Sequence, residues 1–77
     1  MTIKEHDCVV LTADLPDDSL KAGDVGTVVH IHNNGEAFEV EFMTFAGTTI
    51  AVTTVESSQL RAVGERDLTH VRELQSV

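Results

Sequence analysis

From Asp7 to Val63 the chain alternates between short apolar runs and polar turns that carry glycine, asparagine or proline. The apolar runs are three to eight residues long and rich in Val, Ile, Thr and Phe, which is the pattern of half-buried β-strands. Five strands are predicted: Asp7–Thr12, Val25–His32, Ala37–Met43, Thr48–Val55 and a short closing strand Arg61–Val63. Glu56–Leu60 reads as a single 3₁₀ turn ahead of the last strand. The first connection, Ala13–Leu20, is a polar loop holding the only proline, and Leu15 and Leu20 are expected to fold back onto the core.

The turns predict the pairing. Asn34-Gly35 lies between two alternating strands and suits a type I′ hairpin, which requires positive φ at both central residues. In that register Ile31 faces Phe38, Val29 faces Val40 and Thr27 faces Phe42 on one apolar face. Val28, His30 and His32 then share the opposite face with Ala37, Glu39 and Glu41. At the second hairpin, Phe45-Ala46-Gly47 suits a three-residue loop with Gly47 in the left-handed position. That loop places Ile50 opposite Phe42 and Val52 opposite Val40; a two-residue Ala46-Gly47 turn would instead put Ala51 and Thr53 on the core side. The first register is preferred because it buries the larger residues.

Between strands one and two, Gly23-Asp24-Val25-Gly26 forms a tight bend. Gly23 and Gly26 allow positive φ or close backbone approach, and Asp24 can hydrogen-bond neighbouring amides. The segment lacks the lysine and following helix of a phosphate loop, so the bend is structural.

Beyond Gly64 the pattern weakens. Asp67 could cap a short helix with Leu68, Val71 and Leu74 on one face; strand alternation fits nearly as well, and a fraying tail is the third option. An apolar stripe there would cover the barrel's open edge or join a homo-oligomer through the C-terminal extension. The chain divides at this point into residues 1–63, a β-barrel, and residues 64–77, an extension.

Size and charge narrow the function. Seventy-seven residues hold one small domain. Thirteen acidic residues against five basic ones give a net charge of −8, of which residues 1–63 carry −7. Phosphate-backbone binding needs clustered Lys and Arg, so neither nucleic acid nor an anionic membrane is an expected partner. A basic protein surface is. Cys8, the single cysteine, excludes an intrachain disulfide and reads as a buried small hydrophobe in strand one. The N-terminal residues show no apolar signal-like stretch, which suits a cytoplasmic protein.

Five short strands, the long first loop, the Gly-Asp-x-Gly bend, two hairpins and a 3₁₀ turn before the last strand resemble an SH3-like barrel. More narrowly, residues 6–63 resemble a short bacterial and archaeal family known only as a domain of unknown function. The resemblance is carried by Asp7-Cys8-Val9-Val10-Leu11, Asp14-Leu15-Pro16, Leu20 to Val29, Phe38-Glu39-Val40-Glu41-Phe42 and Thr53 to Val63. It implies a stand-alone domain with no established activity, often encoded beside another small protein; an antitoxin- or immunity-type role follows from that setting by analogy.

No catalytic constellation is present. Asp17 and Asp18 are adjacent loop acids of the solubilising kind, and no serine sits in a nucleophile elbow. The expectation is a non-enzymatic, cofactor-free protein-interaction module that binds a basic partner through Asp14, Asp17, Asp18, Glu39 and Glu41. The alternative is a metal- or small-ligand-binding module using the His30, His32, Glu39 and Glu41 face, where imidazole and carboxylate meet at cross-strand spacing. A solvated His–Glu pair is the simpler account of that face, so no metal ligand is assigned.

Overall fold

The computed structural model describes residues 2–75. It is all-β: β1 (Cys8–Leu11), β2 (Val25–His32), β3 (Ala37–Met43), β4 (Thr49–Glu56) and β5 (Leu60–Ala62), with 3₁₀ turns at Pro16–Asp18 and Ser57–Gln59. The strands form one antiparallel sheet in the order β4-β3-β2-β1-β5, curved into a barrel-like domain. Strands two and three have the expected limits; the others are displaced by about one residue, as strand ends commonly are. Among the described residues no helix is long and apolar enough to cross a membrane.

The concave side holds one core of Val9, Leu11, Leu20, Val28, Phe38, Val40, Phe42, Val55 and Leu60, with Ile3, Leu15, Ile31 and Ala51 packed against it. Leu15 and Leu20 tuck back as expected and pair with each other through their backbones. Cys8 does not join this core. Side chains alternate along β1, Val9 and Leu11 take the inward positions, and Cys8 is exposed.

The first hairpin keeps the expected register at its tip, with His32 opposite Ala37, Ile31 opposite Phe38 and His30 opposite Glu39. The turn itself closes one residue early. Asn33, Asn34 and Gly35 all have positive φ, and the Gly35 and Glu36 amides both donate to the His32 carbonyl. The register then shifts between Val28 and His30, and Val28 rather than Val29 faces Val40. This bulge corrects the expected inner face: Val28 is fully buried, while Val29 is 39% exposed. The cause lies on β1. Val9 points into the core and pairs with Gly26, so the first half of β2 must turn Gly26 and Val28 inward. The hairpin tip needs Ile31 inward, and one extra residue reconciles the two halves and bends the strand.

The second hairpin repeats the lesson. The Thr44 amide donates to the Thr48 carbonyl around Phe45-Ala46-Gly47, and Gly47 has φ +87°, so the three-residue loop is as expected. A bulge follows at Ile50, between the pairs Met43–Thr49 and Phe42–Ala51. Ala51 and Thr53 therefore face inward, and Ile50 and Val52 point out, the reverse of the preferred reading.

Candidate functional site

An apolar strip lies on the convex face. Val25 from β2, Met43 from β3, Ile50 from β4 and Phe45 from the β3–β4 loop are all exposed, Phe45 to 89%. Lone exposed apolar side chains are ordinary, but a contiguous set on one face of a small domain is a candidate binding surface. With Thr27, Glu41 and residues 69–74 they line a groove of about 760 Å³.

Residues 64–75 contain no helix and no strand. This replaces the capped-helix reading: the segment is an irregular arm crossing the convex face, with Leu68 94% exposed. Asp67 caps nothing helical. Its carboxylate accepts the Gly64 amide at 2.6 Å and a two-pronged contact from Arg61 at 2.9 Å on each oxygen. The Arg61 guanidinium, then the Gly64 amide, hold the Asp67 carboxyl down at about 2. A depressed carboxylate pKa contributes stability above the ordinary carboxylate value and loses it as pH falls through the folded value. The arm's root should therefore stay closed down to about pH 4 and open between pH 4 and 2. A carboxyl titration of Asp67 by NMR should give a midpoint near 2 rather than near 4.

The second anchor is Arg72. Its Nε and Nη2 donate to the two Asp24 oxygens at 2.7 and 2.6 Å, and Nη2 also reaches the Ser19 carbonyl at 3.3 Å. Asp24 is held ready for this contact. Its carboxylate accepts the Lys21 amide at 2.9 Å, its amide donates to the Lys21 carbonyl, and its carbonyl accepts the Leu11 amide. The side chain is 15% exposed. Partial burial pushes the carboxyl up, and the Arg72 guanidinium with the Lys21 amide outweighs that, leaving it below its ordinary value. Composition and spacing pointed to Asp24 as a turn residue only. The one further signal was Arg72 itself, one of five basic residues, 48 positions away.

The residues expected to bind a partner divide into two groups. Asp14, Asp17 and Asp18 lie in the β1–β2 loop; Asp14 accepts the Ala22 amide at 2.9 Å and so helps to hold that loop, while Asp17 and Asp18 form the 3₁₀ turn. Glu39 and Glu41 lie on the convex face of β3. Glu39 accepts from the Thr54 hydroxyl and pairs with His32 at 2.9 Å, although His30 is its backbone partner. The His32 contact holds the Glu39 carboxyl below its ordinary value. Glu41 turns to the Thr49 hydroxyl at 2.6 Å instead. His30 and His32 stack edge to face with ring centroids 4.7 Å apart. Among the described residues no three His, Cys, Asp or Glu side chains converge as metal ligands would.

The profile of a domain of unknown function (DUF4926) matches residues 5–62, three-quarters of the sequence. The chain belongs to the DUF4926 family. The DUF4926 match spans all five strands and Asp24, and it stops before the arm that carries Arg72. No curated protein and no solved structure matches the chain.

Proposed function

We propose that this DUF4926 domain is a non-catalytic protein-interaction module that binds a basic partner, in the manner of an antitoxin or immunity protein. The observation that carries the reading is the open apolar strip on the convex face of a strongly acidic domain. Of thirteen carboxylates, three (Asp24, Glu39 and Asp67) have a cationic or histidine partner among the described residues, and ten have none. Such a surface attracts positive charge over long range, and the apolar strip supplies the contact area that charge alone lacks. Within this reading Asp17 and Asp18 act as steering charges, and Glu41 lies directly on the groove.

The SH3-like assignment of the barrel, for which strand order and the 3₁₀ turn before β5 speak, supports the same reading, since such barrels bind through loops and sheet faces. The usual proline-rich ligand is disfavoured because the groove has neither tyrosine nor tryptophan.

Affinity capture with the intact chain from its native host tests this. The expected result is one stoichiometric, basic partner whose Kd weakens at least tenfold between about 50 and 300 mM salt, as screening of exposed charges requires. Absence of such a partner, or an affinity indifferent to salt, counts against it.

A further inference from the structure

Asp24 is a poorly solvated carboxylate at the end of an apolar groove, and it grips a guanidinium through two nitrogens, Nε and Nη2. That arrangement selects arginine over lysine, because only the planar fork matches both oxygens. The arm that supplies the arginine is otherwise weakly seated. Among the described residues its hydrogen bonds to the barrel are those of Asp67 at its root and of Arg72, and Val71 and Leu74 leave the groove open beside them.

We propose that the groove is a receptor for an extended, arginine-bearing apolar segment of a partner protein, with the chain's own arm as the stand-in that such a segment displaces. The proposal rests on the interaction-module reading and specifies the partner's chemistry. The segment's arginine takes the place of Arg72 on Asp24, and its flanking apolar side chains go to Val25, Met43, Phe45 and Ile50. Glu41 on the groove wall favours a further positive charge in the segment. A tethered arm competes at an effective concentration on the order of millimolar, so the groove yields to a segment that fits better, to an equal one at millimolar concentration, or to release of the arm.

The test uses the full chain and a fluorescein-labelled synthetic peptide of residues 66–75, read by anisotropy. The Arg72→Ala chain, whose arm cannot occupy Asp24, should bind the peptide at least tenfold more tightly than the parent chain. A peptide carrying Arg72→Ala or Arg72→Lys should lose at least tenfold, and adding Asp24→Asn to the Arg72→Ala chain should abolish the gain. Equal binding by the parent and Arg72→Ala chains, or by arginine and alanine peptides, overturns the proposal. Amide NMR of the parent chain guards against misfolding of the variant: millimolar unlabelled peptide should move Val71, Glu73 and Leu74 towards free-arm positions, and unmoved resonances also overturn it. A captured basic partner that binds Asp24→Asn as tightly as the parent would overturn this inference and leave the interaction module standing. Displacement by the peptide with no basic partner in the host would overturn the interaction module, and this inference with it, leaving only the exchange of the arm on Asp24.

Discussion

Gly26→Val will leave the domain unfolded at 37 °C, and Gly26→Ala will cost about 3 kcal/mol, at the upper end of ordinary overpacking. A Cβ on Gly26 would lie 2.6 Å from Val40 Cγ1, 2.8 Å from the Glu41 carbonyl oxygen and 2.9 Å from Phe42 Cε1. Two of these contacts belong to buried core side chains and the third to the backbone of a central strand, so none can swing aside. The adjoining strand cannot retreat either, because β2 is paired on both edges, to β1 and to β3. Gly23 differs in kind: it has open space around it but φ of +96°, so a side chain there is penalised by backbone conformation alone, by about 1–2 kcal/mol. Gly64, with its nearest neighbour at 3.6 Å, is the control and should accept alanine within about 0.5 kcal/mol. Urea unfolding of the four chains checks the order. The midpoints should fall in the sequence Gly64→Ala, Gly23→Ala, Gly26→Ala with an unchanged m-value. For a domain this small, 3 kcal/mol is a large part of the whole stability.

Strand identity and turn position were legible because each rests on local chemistry. Asn33-Asn34-Gly35 and Phe45-Ala46-Gly47 contain residues that tolerate positive φ, and the strands they join are rich in β-branched or aromatic residues. The inner face was legible only where one neighbour is polar. On β3 Phe38, Val40 and Phe42 alternate with Glu39 and Glu41, and all three phases came out right. On β2 Val28 and Val29 are identical, and on β4 Ile50, Ala51 and Val52 are all apolar, so pattern alone cannot place a bulge there. The bulges are set by pairing with β1 and by barrel curvature, which are long-range terms. The preference for burying the larger residue also failed at Ile50: the space opposite Phe42 takes Ala51.

The candidate site was less legible for the same reason. It includes Thr27 and Ile50, outward residues that the expected register had placed on the inner face. Its polar end joins Asp24 to Arg72, 48 positions apart in a segment whose periodicity suggested a helix. The spacing of Leu68, Val71 and Leu74 is a local signal that lost to one long-range ion pair.

The bulge in β2 predicts the other large effect, a reversal between neighbours. Val28→Asp should unfold the domain, with a loss beyond about 4 kcal/mol, because it places an unpaired carboxylate among Val9, Val40 and the other core side chains. Val29→Asp should cost about 1 kcal/mol, the ordinary penalty for aspartate in an exposed strand position. The threonine pair isolates the face from the charge. Valine and threonine have nearly the same shape, so Val28→Thr should lose about 1–3 kcal/mol through its buried hydroxyl, and Val29→Thr should stay within about 0.5 kcal/mol. An unbroken hairpin register predicts the opposite order at both positions, with Val29 the sensitive residue. Denaturant melts of the four variants therefore separate the two registers without reference to any ligand. Because the separate bulge in β4 turns Ile50 outward, Ile50→Thr should be tolerated in stability while weakening the peptide binding proposed for the convex groove.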